Sequence, residues 1–320
     1  MAADLLVGVD LGGTKIYTAL ADGSGQVLAE IKTPTEAALG AEHVIGRILG
    51  TVSQTLTQAG RTGQALRGVA VASPGPLSAR EGVVHFAPNL GWREIPLRKI
   101  LAERLQTDVF IDNDANLAAL GEHVYGAGRG VAHMVYFTVS TGVGGGLILD
   151  NRLYHGVGDG AGELGHMQLL PDGPLCNCGV HGCLEALASG TAMAREARQL
   201  IAAGQGREIL KQAGGDVQSV SAVTIAAAAG GGDPEAAGII AQAATYLGIG
   251  VASVINILNP ELIVLGGGIM EIGEPVWREV HREVKTRALS ASAQQVRLVP
   301  AQLGGRAGVM GALALLRSEK

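Results

Sequence analysis

A chain of 320 residues, 47% apolar and 17% charged, can build substantial cores, which excludes a disordered protein. Its 49 glycines, about twice the usual share, follow no period of three, so a collagen-like chain is excluded as well. The net charge of −5 argues against a general nucleic-acid binder, which needs Lys and Arg to neutralise phosphates.

Strands are predicted at 5–10, 15–21 and 26–31, then a helix over 38–59, a strand at 67–72 and an extended piece at 83–86. A helix near 96–105 and a strand at 109–111 follow. Leu117, Leu120 and Val124 recur at three and four residues, which predicts a helix from Asp114 to Tyr125. The pattern then restarts with a strand at 133–139, a Gly-rich turn at 140–146 and a strand at 146–150. A loop-rich stretch runs to about 182, and helices continue through Asn256. The chain ends as strand 261–265, helix 274–286, strand 294–300 and helix 306–317. The alternation predicts an α/β fold, and the repeated strand, Gly turn, strand plan predicts two similar lobes with a ligand cleft between them.

No stretch reads as a transmembrane helix: the most apolar one, Tyr246 to Leu265, is interrupted by Ser253, Asn256, Asn259, Pro260 and Glu261. No basic region precedes the N-terminal apolar run, which Asp4 and Asp10 interrupt, so no secretory signal is expected. The three cysteines, Cys176, Cys178 and Cys183, lie within eight residues, a poor disulfide framework but a good metal cluster. A cytoplasmic protein is expected. With His166, ten residues upstream of Cys176, the thiolates make a Cys₃His set suited to tetrahedral structural zinc; His181, inside the loop, is a rival ligand. Four protein ligands leave no open position, so such a zinc would shape a loop rather than activate water.

Three Gly-rich turns follow strands: Asp10-Leu11-Gly12-Gly13-Thr14-Lys15, Ser140-Thr141-Gly142-Val143-Gly144-Gly145-Gly146, and Gly266-Gly267-Gly268. Such turns can aim backbone N–H groups at phosphate oxygens, with Thr14 and Lys15 adding a hydroxyl and a charge and Asp10 a carboxylate for water or Mg²⁺. The first is neither a Walker A loop nor a dinucleotide fingerprint; taken alone it also reads as an ordinary hairpin turn. In Ile111-Asp112-Asn113-Asp114-Ala115-Asn116, two Asp and two Asn exceed what one helix cap requires. Asp114 is placed to accept a hydroxyl proton and Asn113 to bond neighbouring hydroxyls. With Asn89 and the carboxylates of Glu163 and Glu185, this set suits a neutral polyol.

The ordered motifs Asp10-Leu-Gly-Gly-Thr-Lys15, Pro88-Asn89-Leu90, Asn113-Asp114-Ala-Asn116, Gly162-Glu163-Leu-Gly-His166, Cys176-Asn-Cys-Gly-Val-His-Gly-Cys183-Leu-Glu185 and Gly266-Gly-Gly268 closely resemble the ROK family of sugar kinases and related repressors. The resemblance runs from about residue 5 to the C-terminal helix. It implies the two-lobed actin/hexokinase-type ATPase fold, with ribonuclease H-like lobes. The lobes expected are a small one of residues 1–112 plus 303–320 and a large one of 113–302 carrying the zinc loop.

The activity implied is transfer of the γ-phosphoryl of ATP to a hexose hydroxyl, most simply O6 of glucose, with Mg²⁺ and a structural Zn²⁺ as cofactors. Asp114 would be the general base. Gly75, Asn89, Asn113, Glu163, His166 and Glu185 would line the sugar site. Gly12, Gly13, Thr14 and Lys15, together with Thr141, Gly142 and Gly144, would hold phosphates, with Gly266, Gly267 and Gly268 near the nucleoside and Asp10 positioning Mg²⁺ through water. His166 would join Cys176, Cys178 and Cys183 on zinc and touch the sugar through its other nitrogen. Kinases of the family for fructose, mannose, allose, N-acetylglucosamine and N-acetylmannosamine share nearly all of this set, and polyphosphate stands as a second donor. A sugar-responsive repressor is the rival class; it needs an N-terminal helix-turn-helix, and nine residues precede Asp10. No nucleic-acid or membrane partner is expected, whereas a homodimer or homotetramer is.

Overall fold

Leu5, Leu6, Val7, Val9 and Leu11 are fully buried, so the first strand, β1 (Leu5–Leu11), is covered on both faces. In this computed structural model, which describes residues 4–318, β1 continues through a hairpin into β2 (Lys15–Ala21) and then β3 (Val27–Pro34). Helix α1 (Ala41–Gln58) buries Val44, Ile45, Ile48, Thr51, Val52 and Thr55, one face at helical spacing, against β2 and β3. Next come β4 (Leu66–Ser73) and a small antiparallel sheet of β5 (Leu77–Ser78), β6 (Val83–Ala87) and β7 (Trp92–Ile95). Helix α2 (Leu97–Leu105) and β8 (Val109–Asn113) complete a five-stranded sheet ordered β3-β2-β1-β4-β8, with β4 and β8 parallel to β1.

From β8 the chain enters α3 (Asp114–Tyr125), then β9 (Met134–Val139), β10 (Val143–Leu149) and β11 (Arg152–Leu153). A long irregular stretch precedes α4 (Leu184–Ala188), α5 (Gly190–Ala202), α6 (Arg207–Gln212), α7 (Ala222–Gly230) and α8 (Pro234–Leu258). The chain closes with β12 (Leu262–Gly266), α9 (Glu274–Arg287), α10 (Ser290–Gln295), β13 (Arg297–Pro300) and α11 (Ala307–Ser318). The second large sheet is ordered β11-β10-β9-β12-β13, with β12 buried throughout and parallel to β9 and β13.

Two compact units result, one of Met1–Ala132, Gly146–Gly162 and Ala301–Lys320, the other of His133–Gly145 and Glu163–Pro300. The boundary expected at 112 falls ahead of α3, whereas the structure groups α3 with the first unit. Small residues explain this: a side chain at Gly121 would meet the Ala307 carbonyl at 2.4 Å, and one at Gly311 the Leu117 carbonyl at 1.6 Å. Helices α3 and α11 therefore pack at backbone distance.

The differences from the sequence reading have local causes. Strands β7 and β11 and helix α10 span 4, 2 and 6 residues, too few for a periodic signal. Strand β10 begins at Val143 rather than at 146, so Gly144 lies within a strand instead of a turn, and Gly146 lies inside the strand and not at its start. Gly146 is needed there for packing, since a Cβ would approach that of Ala119 to 2.6 Å. Helix α8, 25 residues long, is long and apolar enough to cross a membrane by length and composition, which the sequence reading missed. It packs against α4, α7 and α9 and buries Ile239, Ile240, Leu247 and Val251, as a core helix of the second unit does.

Candidate active site

The start of α3 collects the first set of polar groups. Asn113 is the N-cap: its Oδ1 accepts from the backbone N–H groups of Ala115 (2.9 Å) and Asn116 (3.3 Å). The cap occupies the carbonyl oxygen, and the Nδ2 side faces Gly75, where a Cβ would sit 3.5 Å away. Capping and ligand binding are therefore compatible in one residue. Asp114, the first helical residue, is exposed, and its Oδ1 accepts from Ala115 N–H at 2.8 Å. Behind them Asp112 is buried; its Oδ1 accepts from Asn113 N–H (2.7 Å) and Asn116 Nδ2 (3.1 Å).

The hairpin between β1 and β2 lies in the same unit. Gly12 N–H donates to the Lys15 carbonyl at 2.9 Å, and Thr35 Oγ1 donates to the Gly12 carbonyl at 2.6 Å. The turn thus has the hairpin geometry that the sequence allows, and the Gly12 N–H is spent on closing it. Gly13 packs on Asn89, whose Cβ would lie 2.9 Å from any side chain there, so the turn and the exposed Asn89 are neighbours. Asp10 rests on the backbone of Gly308 in α11. Burial of its carboxyl raises its pKa to about 6, against the lowering influence of Lys15.

In the second unit the other two Gly turns separate. Gly267, at φ +89°, passes so close to Val139 that a Cβ would lie 2.3 Å from its carbonyl oxygen. Gly266 belongs to β12, and Gly142 lies against Glu185. Ser140, Thr141 and Gly268 line a cavity of about 530 Å³ that Thr191, Arg198, Val223, Ile269 and Glu271 complete. The sequence reading missed Arg198, Val223 and Glu271. The only local signal is a capping box, Ser221 with Thr224, which marks the start of α7 but not a pocket.

Four donor atoms of the second unit, one each from His166, Cys176, Cys178 and Cys183, all lie within 4.8 Å of one another. Cys176 Sγ is 3.8 Å from His166 Nδ1, and Cys178 Sγ is 3.6 Å from Cys183 Sγ. A zinc–sulfur bond of about 2.3 Å gives a tetrahedral edge of about 3.8 Å, so the set fits a zinc ion. The rival, His181, points its Nδ1 at the Gly173 carbonyl (2.8 Å) instead. Burial pushes the Cys183 thiol up to about 12 and raises that of Cys176, while the Val180 backbone lowers that of Cys178. A coordinating cation deprotonates such thiols outright. The loop bends at Gly182, φ +70°, where a Cβ would collide with the Leu170 carbonyl.

The second nitrogen of His166, Nε2, lies 3.8 Å from Glu163 Oε2, so the ring faces sulfur on one edge and a carboxylate on the other. Glu185 Oε2 accepts from Val143 N–H at 3.0 Å. Gly165, between Glu163 and His166, sits on the Val143 carbonyl, which a Cβ would meet at 2.0 Å. One residue thus joins the Glu163–His166 turn, Glu185 and the 140–142 turn.

The ROK family model matches residues 6–319. The chain is 35% identical over 316 residues to a glucokinase of Halalkalibacterium halodurans, covering 98% of this chain and 95% of that one. A crystal structure of a ROK family glucokinase from Streptomyces griseus, in complex with glucose and AMPPNP, superposes with a TM-score of 0.82 at 34% identity, covering 97% of this chain and 98% of the other. A xylose repressor of Caldicellulosiruptor bescii is 31% identical over 314 residues, 98% of this chain but 78% of the repressor. The fold is the α/β, two-lobed actin/hexokinase-type ATPase fold. The chain belongs to the ROK family.

Proposed function

We propose that this protein is an ATP-dependent hexose kinase that converts glucose to glucose 6-phosphate. The observation that carries this reading is the start of α3, where Asp114 presents an exposed carboxylate beside the capped Asn113. Asp114 takes the proton from the attacking sugar hydroxyl, and Asn113 and Asn89 bond neighbouring hydroxyls with amides that both donate and accept. Gly75 leaves room beside Asn113. Glu163, His166 Nε2 and Glu185 read the remaining hydroxyls. Likeness over the full length to glucokinases supports glucose as the acceptor.

The donor is ATP: in the second unit the cavity bounded by Thr141, Gly268, Arg198 and Glu271 suits its nucleoside and the Thr141–Gly142 turn its phosphates, and in the first unit the turn of Gly13 to Lys15 offers phosphate contacts of its own. Asp10 would hold Mg²⁺, which would supply charge neutralisation at the phosphates; burial raises the Asp10 pKa to about 6, and a cation beside it would favour the ionised carboxylate. His166, Cys176, Cys178 and Cys183 would hold zinc, which would fix the orientation of the imidazole and thereby the nitrogen it offers to the sugar.

ADP formation across a hexose panel, with ATP and then polyphosphate as donor, tests the reading. Glucose with ATP is expected to give the highest kcat/KM. The similarity to xylose repressors supports one other reading, a sugar sensor without transfer activity. Sugar binding by calorimetry with no ADP formed would favour the sensor over the kinase.

A further inference from the structure

We propose that His155 is a positioning residue for the phosphoryl acceptor, fixing through Asp112 the helix start that carries Asn113 and Asp114. The inference rests on the kinase reading above. His155 Nε2 lies 2.6 Å from Asp112 Oδ2, while Asp112 Oδ1 takes the Asn113 N–H and the Asn116 amide. The buried carboxylate is therefore a bridge, with an imidazole on one oxygen and the entry to α3 on the other. Its side chain is 3% exposed and that of His155 30%. A carboxylate this buried is costly unless its charge is paired, and the bonds to its other oxygen come from neutral groups.

The loop that carries His155 has a second tie. Asp159 Oδ2 accepts from Ser78 Oγ at 2.9 Å and from Arg80 N–H at 3.3 Å. Tied at these two points, residues 154–162 lead covalently into Glu163. One imidazole thereby ties this loop to the helix start of the base. The pair borders a cavity of about 440 Å³ in which Asp112 of β8, Asp159 and Tyr154 of the loop and Arg80 of the β5–β6 turn are the ionisable neighbours; α11 contributes the apolar Leu315.

The Asp112 hydrogen bond raises the His155 pKa above the ordinary imidazole value, with burial opposing and Asp159 assisting. The charged pair is complete below the imidazole's unperturbed pKa and is lost as pH rises through the raised one. Acceptor alignment therefore weakens on the alkaline side.

The test measures kcat and KM for glucose from about pH 6 to 9.5, with thermal melts, on wild type, His155→Gln and His155→Lys. His155→Gln is expected to lower kcat/KM about tenfold to a hundredfold, mostly in kcat, and to remove an alkaline limb present in wild type. His155→Lys, which restores a cation, is expected to recover much of the loss and move the limb to higher pH. A His155→Gln protein with wild-type kcat/KM and pH profile overturns the proposal, as does a folded His155→Lys protein that recovers nothing. Absence of ADP formation by wild type with every hexose would instead overturn the kinase reading, and this proposal with it.

Discussion

Asp114 and His166 are held in opposite ways. Asp114 stands on a helix start: β8 delivers it, Asn113 caps it and the buried Asp112 anchors the entry, all within regular secondary structure. His166 ends a three-residue 3₁₀ turn in a stretch with no longer element between β11 and α4, and its imidazole is flanked by three thiols. An orientation made by backbone hydrogen bonds needs no cofactor. One made by converging side-chain donors in an irregular loop depends on whatever those donors bind. The acceptor residues should therefore divide into a metal-independent set and a metal-dependent one.

The sharpest break in that division is Asp114→Asn. It should lower kcat by about 10²- to 10⁴-fold while glucose affinity by calorimetry stays within a few-fold, because only the proton acceptor is lost. A variant retaining a tenth of kcat would remove Asp114 from the role of base. Next in size, Cys178→Ser should release about one zinc per chain and weaken glucose binding about tenfold to a hundredfold, with a smaller change in kcat. Metal analysis finding no zinc in wild type purified without chelator would erase the distinction between the two sets.

The smallest effect concerns Asp10, which is placed by secondary structure yet disfavoured as an ion. Its pKa of about 6 means that the folded state prefers the neutral acid, an advantage present below the unfolded value and lost as pH rises through about 6. Asp10→Asn should therefore raise Tm by about 2–5 °C at pH 7.5, with the gain shrinking toward pH 4, while kcat falls. Equal melting of the two proteins at both pH values would show that the carboxyl carries no such cost.

The sequence reading reached the residues whose neighbours in the chain are also their neighbours in space. The Asp10–Lys15 hairpin, the β8–α3 entry and the Cys176–Cys183 loop are all short segments that carry their own geometry. Arg198, Val223 and Glu271 escaped it because they meet from α5, α7 and the segment after β12, and none has a local signature. The His155–Asp112 pair spans 43 positions and escaped for the same reason. Glycine density misled at Gly144 and Gly146, which lie within β10, Gly146 being small because α3 packs on it; Gly121 and Gly311, read within helices, are small because those two helices touch. Composition counts such glycines but cannot separate freedom of φ from closeness of approach.

The contacts of α11 also bear on how the chain is made. Gly8 of β1 lies against Val309, Asp10 against Gly308 and α3 against Gly311, so the first strand and the helix near the opposite end of the sequence share one core. The bulk of the second unit, Glu163–Pro300, is by contrast one uninterrupted run. During synthesis that run can settle as soon as it emerges. β1 must wait with an uncovered face until α11 follows it off the ribosome, so truncation ahead of Ala307 would leave β1 without its cover.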